Sequence, residues 1–208
     1  MSRIVHFGLG NFARAHLLDY TQDAGGWDVI GVSLRSAAVR DGLAQNGCAY
    51  DLCVQGEGIK RIDILRSVLV APENPHAVFE AMSQAQIISA TVTEKGYHLD
   101  AQGRLNLDDP LIAHDLTSTT PKSFIGYLAR HLAQRETPVT VLSCDNRVEN
   151  GAALRAAVKR FADVAQLDID YDKVTFPNAM VDRITPATTD SLREISGDPM
   201  AVPTEAFR

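Results

Sequence analysis

The stretch Arg3-Ile4-Val5-His6-Phe7-Gly8-Leu9-Gly10-Asn11-Phe12-Ala13-Arg14 decides the fold: an apolar run, two glycines one residue apart, then an amphipathic stretch. Arg3–Phe7 reads as a buried strand and Asn11–Ala24 as a helix, with Phe12, Ala15, Leu18 and Ala24 on its apolar side. Between them, Gly8-Leu9-Gly10-Asn11-Phe12-Ala13 fits the G-x-G-x-x-G/A spacing of a dinucleotide-binding turn, in the strand–turn–helix setting that spacing requires. Gly8 makes the tight turn, Gly10 keeps a side chain out of the way of a pyrophosphate, and Ala13 lets helix and strand pack closely. The helix start offers unpaired N–H groups and a positive dipole end to the phosphates. A glycine-rich turn that binds nothing would share these letters; the strand before, the helix after and the place at the chain start favour the cofactor. Phe7, Gly8, Leu9, Gly10, Asn11, Phe12, Ala13 and Arg14 are therefore the expected cofactor-binding residues.

Outward from that turn, strand and helix signals alternate. Trp27–Leu34 reads as a second strand after the Gly25-Gly26 break, and Ala37–Gln45 as a helix stopped by Asn46-Gly47. Tyr50–Val54 and Lys60–Leu65 flank Gln55-Gly56-Glu57-Gly58 and predict a hairpin. Ile87–Thr93 and Val139–Ser143 are further strand-like runs, with amphipathic Ser123–Gln134 between them; Gly151–Ala165 follows as a helix and Lys173–Phe176 as a short strand. The alternation predicts an α/β, Rossmann-like doubly wound, mostly parallel sheet with an inserted β-hairpin, without fixing the strand order. Residues 1–190 are expected to form the dinucleotide-binding domain. Asp190–Arg208 carries two prolines and no closing element, which predicts that 191–208 begins a crossing out of that domain, in a chain cut short.

Composition narrows the function. The 208 residues include 20 Lys+Arg against 26 Asp+Glu, a formal charge of −6, with 45% hydrophobic residues. An acidic globular chain without a Lys/Arg run lacks the positive footprint that nucleic acid or an anionic membrane needs. No stretch approaches the roughly 20 apolar residues of a membrane span. The N-terminus runs directly into a strand pattern, leaving no room for a signal peptide, so a cytoplasmic protein is expected. Three cysteines suit a reducing compartment, and Cys48 and Cys53 have no second ligand pair at a zinc interval. No metal is expected.

Other polar clusters fall after predicted strands, where open α/β sheets bind ligands. The second strand ends Ser33-Leu34-Arg35, with no carboxylate for a ribose diol and with Arg35 and Arg40 close by. Arginine there accommodates a 2′-phosphate, or else Arg35 simply packs on the adenine, so NAD is the expected cofactor with NADP left open. Thr91-Val92-Thr93-Glu94-Lys95-Gly96-Tyr97 and Ser143-Cys144-Asp145-Asn146 follow the next two strands. Read plainly, Asn150 is an N-cap and Asp145 or Asn146 pins a turn. Cys144 has no neighbouring histidine and reads as a buried strand-end thiol rather than a nucleophile. Phe176-Pro177-Asn178-Ala179-Met180-Val181-Asp182-Arg183-Ile184-Thr185-Pro186 would suit a substrate pocket, or Asp182-Arg183 is a plain ion pair.

At these residues the chain resembles the polyol-specific long-chain dehydrogenases, the mannitol dehydrogenase/fructuronate reductase family. The resemblance is carried by Ile4–His16, Thr91–Tyr97, Ser143–Asn146 and Phe176–Ile184, four motifs in order over nearly the whole chain. Thr93–Tyr97, Asn106–Ile112 and Ser143–Gly151 look closer to fructuronate reductase (mannonate oxidoreductase) than to mannitol 2-dehydrogenase. The resemblance implies metal-independent hydride transfer between NAD(P) and a small sugar polyol or hexonate. It implies Asn146 as a catalytic group polarising the reacting oxygen, Val181 and Asp182 in the substrate pocket, and Glu94 near cofactor and substrate. Arg183 on the substrate side and Thr93 and Arg35 on the cofactor side are expected from their own positions in the chain. It also implies a general-base lysine in a Lys-x4-Asn-x2-His motif, in a helical C-terminal domain. Of the five lysines only Lys173 has an asparagine at the right interval, Asn178, and Val181 stands where histidine is needed. That helical domain is thus expected to be missing, and the alternative reading is a truncated cofactor-binding module without catalysis.

Overall fold

The computed structural model describes residues 1–92 and 94–206. The chain opens on β1 (Ser2–Phe7), turns at Gly8–Gly10 into α1 (Asn11–Ala15) and α2 (Leu17–Ala24), and returns as β2 (Trp27–Ser33). After α3 (Ala38–Ala44) come the hairpin β3 (Tyr50–Val54) and β4 (Gly58–Ile62), then β5 (Leu65–Val70). α4 (Pro75–Ser83), β6 (Ile87–Ala90), α5 (Pro110–Thr117), α6 (Phe124–Leu132) and β7 (Val139–Ser143) follow. The chain then runs through α7 (Asn150–Ala165), β8 (Val174–Thr175), α8 (Asp190–Ser196) and β9 (Val202–Thr204).

Strands β5-β2-β1-β6-β7-β8 form one sheet in which every pairing is parallel. With the hairpin left out of the count, this is the 3-2-1-4-5-6 order of a doubly wound dinucleotide fold, reversing direction between β1 and β6. Its strands alternate between two cores, as a period of two requires. Val5, Phe7, Val32, Ile88 and Val141 pack with Val78, Phe124, Leu154 and Phe161 from α4, α6 and α7. Ile4, Val29 and Leu65 face the other way, onto Ala15 and Leu18 of α1 and α2, Leu43 of α3, and the hairpin residues Tyr50, Leu52 and Ile62. Both faces are covered, as an all-parallel sheet demands. Among the described residues no helix is long and apolar enough to cross a membrane.

Four features depart from the sequence reading. The helix expected over 11–24 breaks at His16 (φ −113°, ψ −78°). There the Arg14 carbonyl accepts from Tyr50 Oη at 2.6 Å and the Ala15 carbonyl accepts from the Arg183 guanidinium, so outside donors replace the helical bonds. The arm expected over Lys60–Leu65 ends at Ile62, and Leu65 instead opens a separate strand, β5, through Arg66-Ser67 to Val70. The third apolar run leaves the sheet at Ala90, short of Thr93. Finally, residues 190–204 pack back on this unit: β9 pairs in parallel with β3, and Val202 is fully buried. Asp198 anchors the return by accepting from the Asp51 amide at 2.8 Å and from Arg61.

Candidate functional site

A cleft of about 710 Å³ opens past the carboxyl ends of β1, β2 and β6. Gly8 and Gly10 form its floor, Ser33–Arg35 and Val39 one side, Ala71-Pro72 the rim, and Thr120–Phe124 the far wall. This is the crevice at the topological switch point where open α/β sheets hold ligands.

The turn has the geometry its spacing predicts. Gly8 sits at φ +90°, and a Cβ there would lie 2.7 Å from the Thr91 carbonyl oxygen. Its amide donates to the Val32 carbonyl at 3.1 Å, which fastens the turn to β2. At Gly10 a Cβ would meet nothing within 4 Å, so the space over the α1 start is open. Ala13 is fully buried, allowing the close approach of helix to sheet.

Beneath the turn lies a polar chain that the sequence showed only as a histidine inside an apolar strand. The Thr91 hydroxyl donates to the Gly8 carbonyl, so Thr91 Oγ1 accepts from His6 Nε2–H at 3.0 Å. His6 Nδ1 then accepts from the Ser89 hydroxyl at 2.8 Å. Burial lowers the His6 pKa to about 4, and burial beside Arg135 does the same for His131. Both folded-state values lie below the usual 6.5, so between pH 6.5 and 4 the unfolded chain binds more protons. Stability should therefore fall as pH drops through that window, by up to about 1.4 kcal/mol per pH unit for each histidine. Urea midpoints at pH 7 and pH 5 check this; equal midpoints would contradict it.

The other expected cofactor residues divide. Phe7 is fully buried, its ring 5.0 Å from that of Phe124, so it supports the turn from within the core. Leu9 turns down over Gly31, where an added Cβ would crowd its Cδ2 at 2.8 Å. Asn11 donates to Thr188 Oγ1 at 3.2 Å and accepts from Arg14, and Phe12 stacks on His16. Arg14 points inward: it donates to the Met200 carbonyl at 2.6 Å and lies over the Tyr50 ring. Arg35 is exposed, lines the cleft and makes no ion pair among the described residues. Thr93 and the Glu94 side chain lie outside the described residues.

Two loops at the carboxyl edge of β7 and β8 are tied together. Asn150, expected as an N-cap, is instead the fully buried first residue of α7. It donates to the Asp145 and Ala179 carbonyls, both at 2.8 Å, and accepts from the Ala179 amide at 2.9 Å. The side-chain cap of α7 comes from Asn178, which accepts from the Gly151 amide at 3.0 Å. Gly151 leaves no room for a Cβ against the Pro177 carbonyl. These ties bring Asn146, which is exposed, to the same edge as Val181 and the exposed Asp182. Cys144 is buried, and burial pushes its thiol up to about 11, as suits an inert strand-end residue.

Arg183 is not paired with Asp182. Its guanidinium is fully buried against Asp19, with Nη1 2.5 Å from Oδ2, and lies over the Tyr20 ring. Lys60 reaches the same carboxylate at 2.6 Å, which ties the hairpin, α2 and the 181–184 segment into one cluster. Sequence reading also missed Lys122, an exposed cation on the far wall of the cleft. The only available signal was the Thr120-Pro121-Lys122-Ser123 run ahead of an amphipathic helix. Its shape comes from buried Asp115, which accepts from the Lys122 and Ser123 amides at 2.8 Å. Among the described residues no group of three or more His, Cys, Asp or Glu could hold a metal ion.

Comparison with known proteins gives concordant results. The family defined as the mannitol dehydrogenase Rossmann domain matches residues 2–208. The chain is 38% identical to D-mannonate oxidoreductase of Escherichia coli, over 100% of its own length and 49% of the relative's. It is 35% identical to mannitol 2-dehydrogenase of Cereibacter sphaeroides, over 99% of this chain and 48% of that one. Among solved structures, it matches Pseudomonas fluorescens mannitol 2-dehydrogenase in ternary complex with NAD and D-mannitol. That match has TM-score 0.88 and 34% identity, over 99% of this chain and 48% of the other. A substrate-free D-sorbitol dehydrogenase gives TM-score 0.89 at 31% identity, over 98% of this chain and 48% of that one. The chain spans about half the length of these relatives.

Proposed function

This chain belongs to the mannitol dehydrogenase family, and on that premise we propose that it is the dinucleotide-binding part of an NAD(P)-dependent oxidoreductase. Its substrate is a small sugar polyol or hexonate, of the mannitol/fructose or mannonate/fructuronate type. The observation that carries this reading is the Gly8–Gly10 turn: a left-handed glycine wedged against Thr91 beside an open helix start, in a cleft at the switch point of the sheet. That cradle fits a pyrophosphate, which the amides at the α1 start would hold. A bound nicotinamide dinucleotide supplies the hydride acceptor or donor.

The chain's own residues then take these roles. Gly8, Leu9, Gly10, Asn11, Phe12 and Ala13 shape the phosphate turn, with Phe7 and Arg14 bracing it and Arg35 at the ribose end; Thr93 and Glu94 stay assigned near the cofactor. Asn146 donates a hydrogen bond to the reacting oxygen, and Val181 and Asp182 line the substrate side. Arg183 serves that side by fixing the segment that carries them. Residues 1–190 form the cofactor domain, and 191–208 begin the crossing towards a helical substrate domain, with Val202–Thr204 held on β3 along the way. Val148 and Met180, about nine-tenths exposed on the two tied loops, give that domain an apolar face to cover. The general base belongs to the missing Lys-x4-Asn-x2-His motif, so the 208-residue chain binds cofactor without turnover. The compartment is the cytoplasm.

A polypeptide joining this chain to the remaining half of its relatives' length tests the assignment. With NAD it should oxidise D-mannonate or a hexitol, read as NADH absorbance, while the 208-residue chain alone does not. Turnover of no hexonate or hexitol by the folded longer protein would overturn the reading.

A further inference from the structure

We propose that the ribose end of the cleft accepts the 2′-phosphorylated nicotinamide dinucleotide as well as the unphosphorylated one, with Arg35 as the residue that meets the phosphate; this rests on the dinucleotide reading above. Discrimination against a 2′-phosphate ordinarily comes from a carboxylate at the end of the second strand. It accepts hydrogen bonds from the ribose diol and repels the extra phosphate. No Asp or Glu is among the described residues lining this cleft. The described lining thus supplies no carboxylate to repel a 2′-phosphate, and the neighbouring charges point the same way.

The acids closest in sequence to this rim are already engaged. Glu73, one residue past the rim residue Pro72, pairs with Arg40, and Arg40 Nε lies 2.8 Å from Asp41 Oδ1. Arg40 thus neutralises both carboxylates and is itself held back from the cleft. Among the described residues, Arg35 and Lys122 are the Arg and Lys side chains that line the cleft, and neither is drawn into an ion pair. Ser33, the other polar residue at the strand end, donates to the Ser36 carbonyl at 2.7 Å and so fixes the bend that presents Arg35. A guanidinium so placed offers a planar pair of donors to phosphate oxygens at little reorganisation.

Calorimetric titration of the 208-residue chain with NADH and with NADPH, in wild type, Arg35→Ala and Arg35→Glu, tests this. The wild-type dissociation constant for NADPH should lie within about 30-fold of that for NADH. The NADPH-to-NADH ratio should rise at least tenfold in Arg35→Ala and further in Arg35→Glu, and raising the salt should narrow the difference between wild type and variants. A wild-type preference for NADH beyond 30-fold, or a ratio unmoved by both substitutions, overturns the assignment of Arg35 and leaves the dinucleotide reading standing. Binding of neither ligand by a chain that circular dichroism shows to be folded overturns both.

Discussion

Replacing Gly8 with alanine should weaken NADH binding by about 10–100-fold and destabilise the fold by about 1–3 kcal/mol. The stability effect follows from backbone geometry: a residue with a Cβ is strained at φ +90°, and here the new atom would lie 2.7 Å from a backbone oxygen that cannot swing aside. The binding effect follows because relief of that clash must move the turn. Displaced amides lose charge-assisted bonds worth about 1.5–3 kcal/mol each, and about 1.4 kcal/mol is tenfold in affinity. Gly10→Ala separates the two effects. Its Cβ meets no protein atom, so it should bind poorly yet melt close to wild type. Wild-type affinity in both variants would remove the turn from the site.

The second large effect is expected at Arg183. Substitution with methionine keeps the length but removes the buried charge, leaving Asp19 with less compensation and the Ala15 carbonyl without its donor at the α1–α2 break. Breaking a buried pair from one side costs about 3–5 kcal/mol. At about 2–4 °C per kcal/mol for a domain of this size, the melting temperature should fall by about 6–20 °C. Lys60, still 2.6 Å from Asp19, holds the loss towards the lower end. The double variant Arg183→Met with Asp19→Leu should recover much of it, because an apolar pair does not carry the desolvation penalty. Were Arg183 a direct substrate ligand instead, the single variant would melt like wild type and, in the polypeptide that carries the remaining half, change KM alone.

The turn was legible because three demands fall on neighbouring residues: a strand, a side-chain-free crossing and a helix start leave few sequences that satisfy all of them. Strand order was not legible, since sheet position depends on which faces meet, and Ile4 and Val5 look alike although they serve opposite cores. β5 escaped notice because Arg66 and Ser67 break its apolar run, and α5 because its signal is only Asp109 capping the start with Pro110 behind it. Long-range polar pairing escaped for a plainer reason. Arg183 is adjacent to Asp182 in sequence, yet its partner Asp19 lies 164 positions away. Arg14 likewise reads as a cofactor-binding residue until the return of residues 198–204 supplies the Met200 carbonyl. The asparagines of the carboxyl-edge loops show the same limit: Asn150 holds a distant loop, and Asn178 from that loop caps α7.

Backbone amide shifts of the isotopically labelled chain, followed by NMR as NADH is added, test the central claim most directly. The account predicts saturable shifts at Gly8, Leu9, Gly10, Ser33 to Arg35 and Thr91. Trp27, at the opposite end of β2, and the hairpin turn at Gly56–Gly58 should stay still. Shifts centred on the hairpin or the amino edge of the sheet, or no saturable shift from a well-dispersed spectrum, would contradict it.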